Sequence, residues 1–146
     1  MPHAHISLVT LGVSDVTRAA RFYEALGFAR KVRGAPESEV AFFEAGPVAL
    51  SLYVVSGLAK DAGFPDDTRP PVFRAASLAW NCESRDDVDA VMALAVRAGG
   101  ATLVPAKEAV WGGYHGHFAD PDGHIWEVAH NPQFPLSPNG TLTLPD

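Results

Sequence analysis

His117-Phe118-Ala119-Asp120-Pro121-Asp122-Gly123-His124-Ile125-Trp126-Glu127-Val128 is the stretch on which the fold turns. Two runs of apolar and aromatic residues flank Asp-Pro-Asp-Gly. A proline at the second turn position and a glycine at the fourth suit a type I turn. The stretch therefore predicts a hairpin of strands over 113–119 and 124–130. Closed as an ordinary hairpin, it puts Glu127, Ile125 and Ala129 on one face with Tyr114, Gly116 and Phe118. His115 and His117 then stand opposite Val128 and Trp126, turned away from Glu127.

Upstream of the hairpin, a strand is expected at 101–105, and Gly99-Gly100 stops a helix. That helix starts at Ser84-Arg85-Asp86-Asp87, a capping-box-like sequence with an acid at the third helical position. Its apolar stripe is Val88, Val91, Met92, Ala95 and Val96, and a strand at 73–82 precedes it. The first half of the chain follows the same order. A β-branched, apolar strand spans 5–13, and Ser14-Asp15 supplies capping oxygens. Val16, Ala19, Ala20, Tyr23 and Leu26 recur at helical spacing, and Gly27 stands where a left-handed C-terminal cap is needed. Strands are expected at 28–34, 39–45 and 48–55. Strand, capped helix, glycine stop and three strands thus occur twice, about once every seventy residues.

The pattern predicts one α+β domain over residues 1–146, built from two βαβββ modules at 5–56 and 73–131. The connection at 57–72 is rich in breakers and carries a short helical turn near Leu58 to Ala62. The tail at 132–146 holds four prolines and is expected to lie over the surface or stay mobile. Each module alone leaves one sheet face uncovered. Two together form a curved mixed sheet around a central cleft, helices outside, and such a cleft suits a ligand.

Composition narrows the partners. The chain of 146 residues is long enough to bury a core without staples. Cys82 is its one cysteine, so neither an internal disulfide nor a cysteine-rich zinc site can form, and the thiol reads as a small core residue. A net charge of −6 without a basic cluster opposes binding to nucleic acid or an anionic membrane. With no apolar run of membrane-spanning length and no signal pattern at Met-Pro-His-Ala-His, a cytoplasmic protein is expected.

Gly12-Val13-Ser14-Asp15, followed by Arg21-Phe22-Tyr23-Glu24-Ala25-Leu26-Gly27-Phe28, resembles the opening of the vicinal-oxygen-chelate superfamily, the glyoxalase, bleomycin resistance and dioxygenase proteins. His117 to Val128 resembles its last hairpin more closely still, and the likeness spans about residues 5–131. It implies a homodimer and a divalent metal held by His, Glu or Gln on four central strands. The ligand positions it implies are Leu8, a residue near Ser51, a residue near Ser77, and Glu127. Only Glu127 is a donor of the required kind. The segments Val48–Val55 and Val72–Cys82 contain no His, Asp, Glu or Gln, and alkyl groups or neutral hydroxyls cannot replace such ligands. His5 lies an odd step from Leu8 and points to the opposite face. The sequence thus predicts no cofactor, with a divalent metal as the open alternative.

Glu127 is the candidate catalytic residue, a hydrogen-bond acceptor or general base if it faces the cavity and a structural or solvated carboxylate otherwise. Thr10, Ser51, Tyr53, Ser77 and Asn81 fall on the strand parities that face the cleft and would line it with hydroxyls and an amide. Trp80 should point toward the second helix. Trp111-Gly112-Gly113-Tyr114 joins flat side chains to a flexible hinge, so Trp111, Tyr114 and Phe118 are expected at the rim or wall of a pocket for a partly aromatic molecule. His115 and His117 could join a third group around a metal, though solvated or core-edge imidazoles are the plainer account. The functional expectation is a metal-independent binding protein for a small, partly aromatic compound. The alternative is a lyase, isomerase or dioxygenase working through a metal or through Glu127, and a module of a larger complex is a third reading.

Overall fold

The computed structural model describes residues 2–34 and 39–146. The chain divides into two compact units that meet in sequence at Pro70 and Pro71. The first contains β1 (Leu8–Val13), α1 (Val16–Ala25), β2 (Ala29–Lys31), β3 (Val40–Ala45), β4 (Val48–Val54) and α2 (Val55–Asp61). The second contains β5 (Ser77–Asn81), α3 (Arg85–Ala98), β6 (Ala101–Glu108), β7 (Tyr114–Ala119) and β8 (Ile125–His130). The two sheets have one topology. Their orders are β1-β4-β3-β2 and β5-β8-β7-β6, and in each the strand before the main helix runs parallel to the last strand while the other pairs are antiparallel. The α+β class and the duplicated βαβββ order are as the sequence predicts. Several bounds differ: β2 and β5 are shorter than expected, β6 runs on to Glu108, and α2 begins directly at the end of β4.

Both main helices start and stop by the same devices. The Asp15 carboxylate accepts from the Arg18 amide at 3.0 Å, and the Ser84 hydroxyl from the Asp87 amide at 3.1 Å. At the end of α1, Gly27 adopts φ 99°, its amide donates to the Glu24 carbonyl, and the Phe28 amide reaches back to the Tyr23 carbonyl at 3.1 Å. This is a Schellman cap. The Phe28 ring then packs edge-on against Tyr23, with centroids 6.0 Å apart. Gly99 and Gly100 repeat the pattern on the Val96 and Ala95 carbonyls.

Each helix covers one face of its own sheet. In the first unit, Val16, Ala19, Ala20 and Tyr23 pack with Val13, Phe43, Leu50 and Leu52, all buried. In the second, Val88, Met92 and Ala95 belong to the same buried set as Phe118, Trp126 and Val128, and the Phe118 and Trp126 rings stack with planes 2° apart. Burying each such large side chain contributes about 1.5–3 kcal/mol. The opposite sheet faces carry the polar residues from which a site can be built. No helix among the described residues is long and apolar enough to cross a membrane.

Candidate functional site

The turn at 120–124 decides which residues share a face in the second unit. The Gly123 amide closes a type I turn on the Asp120 carbonyl at 3.0 Å, and the Asp120 amide then bonds the His124 carbonyl at 2.9 Å. Gly123 adopts φ 87°. The loop is thus a type I turn followed by a left-handed glycine, a G1 bulge that adds one residue to the hairpin. The buried Asp120 carboxylate secures it by accepting from the Asp122 and His124 amides at 2.9 and 2.8 Å. Arg74 clamps the outside, donating to the Asp122 carbonyl at 2.7 Å and meeting His124 Nδ1 at 3.0 Å.

That extra residue overturns the face assignment made from the sequence. His117 pairs directly with Glu127, and Phe118 with Trp126. Since a shift of one residue exchanges the two faces of a strand, Tyr114 and Phe118 leave the cavity wall. Phe118 is fully buried, and the Tyr114 hydroxyl donates to Asp89 on α3 at 2.7 Å while the Arg85 guanidinium lies 5.1 Å from its ring. The Asp89 hydrogen bond raises the Tyr114 pKa. Trp80, in register with Val128, shares the helix-facing side as expected.

The face turned away from α3 gathers His115, His117 and Glu127. His115 Nδ1 lies 2.7 Å from Glu127 Oε2, a hydrogen bond strengthened by the carboxylate charge. His117 Nε2 lies 3.8 Å from the same oxygen, beyond hydrogen-bond reach. All three side chains are partly buried, at 20–28 % exposure. The two imidazoles stand edge to face with centroids 5.3 Å apart, and Trp111 meets His115 at the same distance. Trp111 thus sits beside the cluster. Its ring lies across Gly113, where an added Cβ would run into the indole and fall 2.6 Å from the His130 carbonyl. A bare backbone at 113 is what lets the indole fold back toward His115.

Beside the cluster lies an open cleft of about 480 Å³, walled by Phe73, Ala75, Leu103, Val104 and Ile125, with Ser77 and His117 as its polar contributions. Ala75 holds φ 55° at this wall, a strained conformation for a residue with a Cβ. Asn81, in register with Ala129, stands on the same sheet face as Ser77 and Glu127. In the first unit, Thr10 and Ser51 are cross-strand neighbours whose hydroxyls bond at 2.6 Å. Ser51 is buried. Tyr53 shares that face and lays its ring over Gly57 of α2. Sequence reasoning missed the cleft wall at Phe73, Leu103 and Val104, and it missed the joining of the histidines to Glu127. The signal for the second was present: a glycine directly after a type I turn adds a bulge residue.

Cys82 is a free, buried cysteine. Burial, with the Asp87 charge adding to it, pushes its thiol up to about 11. His130 Nδ1 meets the Cys82 carbonyl at 3.0 Å.

The model of the Glyoxalase/Bleomycin resistance protein/Dioxygenase superfamily matches residues 5–128. The chain belongs to that superfamily. Among solved structures, a glyoxalase-related enzyme from Fulvimarina pelagi is 36% identical over 96% of this chain and 97% of its own, with a TM-score of 0.85. A glyoxalase/bleomycin resistance protein/dioxygenase family enzyme from Burkholderia phytofirmans (17% identity, 87% and 98% covered, TM-score 0.72) shares the fold. So does a lactoylglutathione lyase from Agrobacterium tumefaciens (20%, 89% and 96%, TM-score 0.65). No curated protein matches the chain in sequence.

The four-strand cation set that the superfamily resemblance implies does not fit this member. Leu8 presents an alkyl group, the Ser51 hydroxyl is occupied by Thr10, and Ser77 offers a neutral hydroxyl. Glu127 alone is a suitable donor, and its neighbours in space are the two histidines of β7.

Proposed function

We propose that this superfamily member binds a small apolar or partly aromatic molecule in the cleft of its second unit, with the polar end of that molecule against His117 and the His115–Glu127 pair. The supporting observation is the half-buried His115, His117 and Glu127 cluster beside an apolar cleft. Sites of this size pair apolar walls, which supply affinity, with a few convergent polar groups, which supply orientation. Phe73 and Leu103 are 69 % and 48 % exposed, and a bound ring would take that area out of water. Ser77 adds a neutral polar contact within the cleft, and in this reading Trp111 beside His115 and Asn81 on the same sheet face extend the site beyond it. In this reading Thr10, Ser51 and Tyr53 line a second, hydroxyl-bearing surface on the first unit. The working form is taken to be a cytoplasmic homodimer, which light scattering on the purified full chain would check.

Tryptophan emission provides the test, because Trp111 lies beside the cluster. Titration with a panel of aromatic and antibiotic compounds should give saturable changes in emission for at least one member. Glu127→Gln should weaken that binding about tenfold or more, the scale of a lost hydrogen bond to a charged group. A flat response across the panel, confirmed by calorimetry, would sink the proposal. The 2.7 Å contact between His115 and Glu127 favours one further reading, a lyase or isomerase in which the carboxylate orients an imidazole that moves a proton. Chemical change in the bound compound over time separates an enzyme from a binding protein.

A further inference from the structure

We propose that His115, His117 and Glu127 form a divalent transition-metal site, built on β7 and β8 in place of the four-strand set that this chain lacks. Their candidate ligand atoms all lie within 4.8 Å of one another. Ligands about 2.0–2.2 Å from a zinc-like ion stand about 2.9 Å apart at right angles and about 3.4 Å apart at the tetrahedral angle. The measured separations, 2.7 Å from His115 Nδ1 and 3.8 Å from His117 Nε2 to the same Glu127 oxygen, bracket those values. Small side-chain rotations would suffice to centre an ion. Two imidazole nitrogens and one carboxylate oxygen suit Zn²⁺, Co²⁺, Ni²⁺ or Fe²⁺, whereas Mg²⁺ and Ca²⁺ prefer oxygen alone.

His117 supplies an independent reason. Its Nδ1 is buried without a hydrogen-bond partner, and its Nε2 stands too far from Glu127 to bond it. A partly buried imidazole left in that state is unsatisfied. An ion would take the Nε2 lone pair, which faces Glu127 from beyond hydrogen-bond reach, and would fix the ring proton on Nδ1, which stays without a partner. The three residues occupy directly paired and adjacent positions on two neighbouring strands, so the sheet itself fixes their spacing. With three protein ligands, positions stay open toward the cleft that begins at His117. The site stands without the small-molecule reading, since an ion can bind whether or not an organic ligand does.

The experiment uses the full chain purified without a histidine tag, stripped with chelator and titrated with Co²⁺. The expected result is one equivalent bound with visible d–d absorption, displaced by Zn²⁺ and not by Mg²⁺. Binding should weaken at least tenfold in His115→Ala, His117→Ala and Glu127→Gln, and should be unchanged in a His3→Ala, His5→Ala double variant. Because a variant can fail by unfolding, imidazole NMR of the unaltered protein gives a second readout. Zn²⁺ should move the resonances of His115 and His117 and leave those of His3, His5, His124 and His130 in place. The proposal is overturned by absence of stoichiometric binding, by binding that survives Glu127→Gln and His117→Ala, or by binding that follows His3 and His5.

Discussion

The two units share one topology and one pair of helix-ending devices, yet their sheet faces away from the main helix differ in kind. On the first, the cross-strand pair Thr10 and Ser51 bond each other at 2.6 Å, so both hydroxyls are occupied within the protein. On the second, the equivalent central strands carry Ala79 opposite Glu127, and Glu127 turns to the imidazoles of β7. The scaffold is duplicated and the ionisable chemistry is not. The comparison teaches that helix-facing positions are held by packing in both halves, while the other face has been free to diverge in one of them.

Packing is where the units should behave alike and where the effects should be largest. Phe43 and Phe118 are both essentially inaccessible to solvent, each at the centre of its own helix–sheet layer. Phe43→Ala and Phe118→Ala should each cost about 3–5 kcal/mol, as truncation of a buried aromatic does. Chemical denaturation checks this. A loss in one unit several kcal/mol smaller than in the other would break the symmetry on which the comparison rests.

The opposite faces should then come apart. Ser51→Ala leaves the Thr10 hydroxyl without its partner in a part-buried place, at a cost of about 1–3 kcal/mol, and should leave ligand affinity on the second unit unchanged. Glu127→Gln should do the reverse, weakening binding about tenfold or more while shifting the thermal midpoint little, because the amide can still accept from His115. Measuring both variants by calorimetry and by melting gives a crossed pattern. An uncrossed one would mean that the first unit contributes to the site or that Glu127 is structural.

How far the sequence could be read follows the same division. The repeated βαβββ order was legible because caps, glycine stops and apolar spacing are local signals: Asp15, Gly27, Ser84 and Gly99 do what their residue types predict. The site was less legible because it hangs on register, which one residue can reverse. Asp-Pro-Asp-Gly was correctly read as a type I turn, but the left-handed Gly123 after it adds a residue, and the face assignments of β7 invert relative to β8. Glu127 was found as the matching family position, while its partnership with His115 and His117 was not. The cleft wall was invisible for another reason, since Phe73, Leu103 and Ile125 come together only through strand pairing across the sheet. Gly123→Ala tests the register argument. A Cβ at φ 87° should cost about 1–2 kcal/mol, and the strain should loosen the contact of His115 and His117 with Glu127, read as movement of their imidazole resonances.

The smallest effects lie at the two helix starts, where the units use different chemistry for one task. Ser84 caps α3 with a neutral hydroxyl, and the first turn of that helix already holds Asp86 and Asp87. Asp15 caps α1 with a carboxylate, and the first turn of α1 has no acidic residue. Either residue replaced by alanine loses one hydrogen bond accepted from a backbone amide, about 1 kcal/mol. Asp15→Ala also removes the one negative charge placed against the positive end of the helix dipole, a further loss of about 0.3–1 kcal/mol that salt screens. Asp15→Ala should therefore be more destabilising than Ser84→Ala at low ionic strength, and the gap should narrow as salt is added. Asp15→Ser separates the two contributions, because it restores the hydrogen bond without the charge and should fall between the parent and Asp15→Ala only in low salt. Equal losses at every salt concentration would show that both caps act by hydrogen bonding alone.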